Sequence, residues 1–288
     1  LRDNIMKCLV TGGVGFVGTN LIKRLLKEGH KVVSLDNYST GKKENEQDGC
    51  LYLDVDINNL EYSDTTAALL AGFDVIFHMA ALARIQPSLV RPQESINANV
   101  NGTLNILELA RKNNTPVVYA GSSSFHHGLY GSPYAWSKHA GEQLCELYSK
   151  VYNLSTVICR FYNVYGPHQL EDGEYSTVLG IFERQYRNKE PLTVTGTGEQ
   201  RRDFTHIDDI VDGLYKCIGK DFKADIFELG RGKNFSINEV ADLFNWKKVH
   251  ILARNGEYDR TLCDYTNAKE KLGWEPTRNL EEYIANVI

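Results

Sequence analysis

Hydrophobic positions along the chain fall into two alternating textures. Short apolar runs rich in β-branched residues occur at 7–11 (KCLVT), 31–35 (KVVSL), 74–79 (DVIFHM), 116–120 (PVVYA) and 155–160 (STVICR). None alternates apolar with polar residues, so each predicts a strand buried on both faces. Between the runs lie segments of helical spacing. Leu21, Ile22, Leu25 and Leu26 share one apolar face; Leu104, Leu107, Glu108 and Arg111 share a mixed one. Alternating strands and helices predict an α/β fold around a doubly wound parallel sheet with right-handed crossovers.

The second half reads differently. Residues 167–201 are polar and irregular, with a helix predicted over 177–188. Asp208 is placed to cap a helix carrying Ile210, Val211, Leu214 and Ile218. The run 226–229 predicts one more buried strand. Ser236 with Glu239 three residues on predicts a capping box opening a helix over 236–244. The pattern implies a smaller lobe, interrupted by one return to the main sheet.

Composition narrows the class. The 288 residues are 42% hydrophobic and 24% charged, which excludes a disordered chain. Lys+Arg is 32 against Asp+Glu 37, a net −5 that disfavours nucleic acid as partner. No run of about 18 apolar residues predicts a membrane span. Met6 directly precedes the first strand, so residues 1–5 are expected to be upstream sequence. The six cysteines show no CxxC spacing and several sit in apolar runs, as buried thiols of a reducing, cytoplasmic compartment do.

TGGVGFVG (11–18) follows the first strand and opens the first helix, with Gly12, Gly15 and Gly18 in GxxGxxG spacing. Glycines there let backbone N–H groups approach a diphosphate at a helix N-terminus. Alone, the motif also suits a plain strand–helix turn. Asp36 ends the second strand about twenty residues on, where a carboxylate accepts from both ribose hydroxyls of NAD and repels the extra phosphate of NADP. Asn37 follows it, with no Arg beside it. The two features together predict NAD as the cofactor.

YxxxK occurs at Tyr38/Lys42, Tyr134/Lys138 and Tyr265/Lys269. Only Tyr134/Lys138 opens a helix after the fourth predicted strand, and that strand ends in three serines, Ser122 to Ser124. On a helix, i,i+4 spacing puts phenol and ammonium on one face. Oxidising a carbinol requires removal of its proton. Lowering a tyrosine pKa from about 10 to about 7 takes ~4 kcal/mol, and one positive charge at ~4 Å supplies about that at an effective dielectric of 20. Ser123 can then hold the substrate oxygen while Tyr134 takes its proton.

With these residues in place, the chain resembles the extended short-chain dehydrogenase/reductase family, in its nucleotide-sugar epimerase/dehydratase branch. The resemblance runs from Cys8 to about Ile284. It rests on TGGVGFVG, Asp36-Asn37, LDVD (53–56), FHMAALA (77–83), NVNGT (99–103), YAWSK (134–138), RFYNVYGP (160–167), GTGEQRRDFTHIDDI (196–210) and AKEKLGW (268–274) after Asp264. It implies a Rossmann domain at 1–166, with 203–229 returning to it, and a nucleotide-sugar lobe at 167–202 and 230–288. The NAD set it implies is Gly12, Gly15, Phe16, Val17, Asp36, Asn37, Ser39, Gly41, Asp54, Val55, Met79, Ala80, Ala81, Asn99, Tyr134, Lys138 and Tyr162. For the sugar nucleotide it implies Ser123, Ser124, Asn163, Thr193, Arg202, Arg254 and Thr261, with Asn163 and the two arginines on the diphosphate.

The residues just after the serine strand imply the reaction. Related 4,6-dehydratases carry Thr-Asp-Glu where this chain has Ser123-Ser124-Phe125, so the carboxylates that move protons in water elimination are absent. Ser, Tyr and Lys remain, the set for oxidation and re-reduction at one carbon. The resemblance therefore implies an NAD-dependent 4-epimerase of a UDP-hexose, working through a transient 4-keto sugar. The alternatives are a glucuronate 4-epimerase or a 4-keto reductase, then a dehydratase, then a non-catalytic NAD sensor. A small residue at Thr261 suggests room for an N-acetyl group. His126-His127 stands where relatives have Val-Tyr, and the loop before Tyr134 is short. Neighbouring histidines on extended chain point apart, so no metal is expected. Helices around 93–113 and 134–152 form the dimer face in relatives, which implies a homodimer.

Overall fold

The computed structural model describes residues 5–60, 70–254, 256 and 258–288; most of the expected upstream segment, residues 1–4, lies outside them. Seven parallel strands form the central sheet. In chain order they are β1 (Lys7–Thr11), β2 (Lys31–Asp36), β3 (Cys50–Asp54), β4 (Val75–His78), β5 (Val117–Ser122), β6 (Thr156–Phe161) and β7 (Lys223–Leu229), and their spatial order is β7-β6-β5-β4-β1-β2-β3. The order reverses between β1 and β4, where an open α/β sheet forms its ligand crevice. This is the doubly wound Rossmann arrangement, with a smaller second group of elements beside it.

The apolar runs are buried on both faces, as their lack of alternation requires. Cys8, Val10, Phe77, Val118 and Cys159 point into one core with Leu21, Ile22 and Leu25 of α1 (Phe16–Lys27). Leu9, Ile76, Tyr119 and Ile158 point into the other, against Ile106, Leu107 and Ala110 of α2 (Gly102–Asn113) and Cys145 of α3 (Pro133–Tyr152). Fully burying one such side chain is worth about 1.5–3 kcal/mol. A third core, with Tyr165, Phe182, Val194, Phe204, Val240 and Phe244 at its centre, is built from the second half of the chain.

The predicted helices at 177–188 and 236–244 are present as Val178–Arg187 and Ile237–Leu243, and the Ser236–Glu239 capping box is formed in both directions. Two local expectations need correction. Cys50–Asp54 is a strand that the apolar pattern misses, so the serine-ending strand is the fifth in the chain. Asp208 does not cap the helix α4 (Ile207–Tyr215). His206 does: its ring nitrogen accepts from the Asp208 N–H, and Asp208 sits in the first turn. Asp209 is buried and instead accepts from Thr277 N, Thr277 Oγ1 and Arg278 N, tying the C-terminal segment to this helix.

Among the described residues no helix is long and apolar enough to cross a membrane. All six thiols are free, and burial pushes Cys8 up to about 12.

Candidate active site

The crevice at the strand ends is a single cleft of about 830 Å³. Its floor is the glycine loop. Gly12 has φ +72°, and a Cβ there would meet the Ala80 backbone at 2.8 Å, so a larger residue would push apart β1 and β4. A Cβ on Gly18 would lie 2.0 Å from the Gly12 carbonyl, so α1 can start this close only on glycine. Gly15 caps α1 without a side-chain hydrogen bond, which leaves the first-turn N–H groups to face the cleft. At the end of β2 the Asp36 carboxylate accepts from Val14 N at 3.0 Å and Tyr38 N at 2.8 Å, fixing it beside the loop. Burial pushes its pKa up and these N–H bonds pull it back. A diphosphate-sized cradle without Cβ atoms, a free helix N-terminus and an oriented carboxylate fit NAD.

Behind the floor, His78 is fully buried between Thr11 Oγ1 (2.7 Å) and Thr103 Oγ1 (2.9 Å), and burial brings its pKa to about 3. Thr103 already donates to Asn99 O, so it accepts from His78 Nε2–H, and Thr11 donates to Nδ1. This histidine joins β1, β4 and α2 as a neutral group. Asn99 holds the next stretch: its amide exchanges bonds with Leu82 N (2.8 Å) and Leu82 O (3.1 Å) and reaches Ser137 Oγ at 2.9 Å.

On the far side, Ser132 caps α3 and Pro133 takes its first turn. Tyr134 thereby faces the end of β5. Its Oη donates to Ser122 Oγ at 3.3 Å. Ser123 and Ser124 line the same cleft and are almost fully buried; among the described residues the Ser124 Oγ has no hydrogen-bond partner. Lys138, one turn along α3, is buried with its ammonium 4.4 Å from the Tyr119 ring centre. Burial lowers the Lys138 pKa to about 8, against an upward pull from Glu142. Burial raises the Tyr134 phenol; Ser122 and then the charge of Arg84 pull it down, and Glu142 pushes it up.

The other end of the cleft is polar. Arg202, Arg254, Thr193, Thr261 and Asn163 all line it. Asn163 has φ +21°, and its amide donates to Asp203 O and Thr261 Oγ1. Thr261 is also bonded by Asp203 N at 2.9 Å. Gln185 reads Thr193 through both backbone and hydroxyl, at 3.0 and 2.9 Å.

The structure thus gathers in one cleft most of the residues singled out by sequence: Gly12, Gly15, Phe16, Val17, Asp36, Asn37, Ser39, Val55, Met79, Ala80, Ala81, Tyr134, Ser123, Ser124, Asn163, Thr193, Arg202, Arg254 and Thr261. Gly41, Asp54, Asn99, Lys138 and Tyr162 are not among the residues that line it. Gly41 packs on Val14, Asp54 is in register with Asp36, and the Tyr162 phenol donates to Glu228 at 3.0 Å. His126 pairs with the same Glu228 at 2.8 Å, and His127 packs on the Tyr258 ring with centroids 5.0 Å apart. Two residues that sequence reasoning passed over stand beside Tyr134. Ser122 was visible as the first of three serines. Arg84 was marked only by its place directly after FHMAALA.

Comparison with known proteins agrees with this geometry. Residues 8–230 match the NAD dependent epimerase/dehydratase family. The chain is 32% identical to the UDP-glucose 4-epimerase of Mycolicibacterium smegmatis, covering 98% of this chain and 97% of that one. It is 30% identical to the UDP-glucuronate 4-epimerase of Thermodesulfobacterium geofontis, with coverage of 97% and 94%. The Thermotoga maritima UDP-glucose 4-epimerase solved with UDP-glucose superposes with a TM-score of 0.91 at 29% identity, over 97% of this chain and 96% of that chain. The chain therefore belongs to the NAD-dependent epimerase/dehydratase family of enzymes, with UDP-sugar 4-epimerases among its relatives.

Proposed function

We propose that this enzyme interconverts the C4 epimers of a UDP-hexose. The observation that carries the reading is the Tyr134 phenol facing the serine end of β5, with Lys138 a turn behind it. No carboxylate stands at positions 123–125, where a dehydratase needs two.

Bound NAD would supply a hydride acceptor and donor that is restored at the end of each cycle. Tyr134 takes the proton of the sugar 4-hydroxyl. Ser123 holds the reacting oxygen, and Lys138 sustains the phenolate electrostatically and grips the nicotinamide ribose. Arg202 and Arg254 anchor the diphosphate through planar guanidinium forks, while the flat 4-keto sugar turns over and presents its other face. Re-reduction then delivers the epimer, and Tyr134 returns its proton. Thr261, small and at the sugar end, leaves room for an N-acetyl substituent.

The same reading includes a homodimer in the cytoplasm. Leu104 on α2 and Trp136, Leu147, Val151 and Tyr152 on α3 expose apolar surface of the kind an isologous helix pair covers.

The test is epimer formation followed by NMR on a panel of UDP-, dTDP- and GDP-hexoses, with Tyr134→Phe as control. Turnover of a UDP-hexose that drops by about 10³ or more in the variant supports the base assignment. Normal turnover by Tyr134→Phe overturns it.

A further inference from the structure

Arg84 lies two residues beyond Leu82, which Asn99 pins. Its backbone is extended, and it caps the short helix Ile85–Val90. Its Nε donates to Tyr175 O at 3.0 Å and Ser176 O at 3.3 Å, and its Nη1 to Ala83 O at 2.9 Å. All three acceptors are uncharged carbonyls. Among the described residues no carboxylate lies within ion-pairing distance of this guanidinium, although it lines the cleft beside Tyr134. Arg160 shows the usual solution for a withdrawn guanidinium in this same chain: it is held by Glu142 at 2.7 Å and Glu228 at 3.0 Å. A guanidinium taken out of bulk water without a countercharge calls for one from a ligand.

Two further groups around Tyr134 have hydrogen-bonding capacity to spare. Among the described residues, the Ser124 hydroxyl, in a residue only 3% exposed, and the Tyr258 phenol are both buried without a partner, and both residues line the cleft. All of these can donate. A hydroxymethyl group offers one oxygen and no charge; a carboxylate offers two oxygens, about four lone-pair sites and the missing countercharge. The diphosphate is served from the opposite end, by Arg202 and Arg254. The helix that Arg84 opens packs on Tyr134, whose N–H donates to Ser88 Oγ at 3.1 Å, and both residues line the cleft, which puts Arg84 on the Tyr134 side, where the reacting carbon must lie.

We propose that Arg84 binds a carboxylate on the hexose, so that the enzyme prefers UDP-hexuronates to neutral UDP-hexoses. The proposal rests on the UDP-sugar 4-epimerase reading. An alternative is that Arg84 serves only to activate Tyr134.

The deciding experiment compares UDP-glucuronate with UDP-glucose on the full-length, NAD-loaded protein. It measures kcat and KM for the wild type, Arg84→Gln and Arg84→Lys, and calorimetric Kd for each sugar on the wild type. Retained NAD and the melting temperature check that each variant is folded. The expected result is a wild-type preference for UDP-glucuronate of ~10- to 100-fold, the worth of a hydrogen-bonded charge. In Arg84→Gln the preference collapses to within about threefold, mainly through KM, and Arg84→Lys recovers part of it. A wild type without preference overturns the proposal, as does an Arg84→Gln variant that keeps the wild-type ratio. Equal losses of kcat on both sugars, with the acid limb of the pH profile displaced upward, also overturn it in favour of action on Tyr134. Tighter binding of UDP-glucuronate without epimerisation of either sugar upholds Arg84 as the carboxylate site and removes the epimerase reading instead.

Discussion

The Tyr134 phenol meets the hydroxyl of Ser122 at 3.3 Å, one residue before the serine that motif spacing selects. Ser122 Oγ also accepts from Ser124 N at 3.2 Å, so it is held in place while it faces the phenol. The strand end thus offers three serines with separable tasks. Ser122 supports Tyr134, and Ser123 and Ser124 line the cleft.

Replacing Ser122 by Ala removes the hydrogen bond that pulls the Tyr134 phenol down. The phenol pKa then rises, and activity that requires phenolate is lost at a higher pH as the solution is acidified. The acid limb of kcat moves upward and the plateau falls by about 10-fold or more. Ser123→Ala lowers kcat without moving that limb. Full pH–rate profiles of both variants separate the two roles.

Lys138 sets the other limb. Its ammonium is present below its own pKa, and burial brings that to about 8. If this charge sustains the phenolate as proposed, it is mostly present at neutral pH and is lost as pH rises through about 8. The rate falls on the alkaline side with that apparent value, and Lys138→Met abolishes the limb together with ~10²-fold or more of the rate.

Cofactor choice is expected to rest on Asp36. Asp36→Ala weakens NAD by about 10-fold or more and narrows its advantage over NADP, because repulsion of the 2′-phosphate goes with the carboxylate. Fluorescence titration with both nucleotides measures this. The variant also loses the bonds to Val14 N and Tyr38 N, so its melting temperature is read alongside.

Arg160 and its two glutamates are the stability counterpart. Glu142→Gln leaves a buried guanidinium with Glu228 alone. Removing one partner of a buried pair costs about 3–5 kcal/mol, which lowers the melting temperature of a chain this size by several degrees, ~6 °C or more. Calorimetry checks it, with Arg91→Gln, at a half-exposed surface pair, as a control expected to shift little.

The strands legible in the sequence were those whose both faces are buried, because apolar, β-branched runs are what such burial demands. Cys50–Asp54 escaped that reading because it is the sheet's edge: Leu51 is 58% exposed, and only one of its two sides is hydrogen-bonded to a neighbour. The glycine loop and Asp36 were legible because a diphosphate and a ribose impose fixed spacing. Asp208 misled because an aspartate before an apolar helix imitates a cap, whereas Ile207 already belongs to the core and the cap falls to His206. Ser122 and Arg84 depend on how the chain twists at a strand end and a short loop, and no periodicity encodes that.

The contact between Gly12 and the Ala80 backbone divides the cleft into two materials. Under the glycine loop the floor is main chain against main chain, with no side chain to exchange. Other walls of the cleft are side chains, Arg84, Ser124, Tyr258 and Thr261 among them. On the proposed reading, single substitutions in those walls change which sugar fits while the glycine floor keeps its shape.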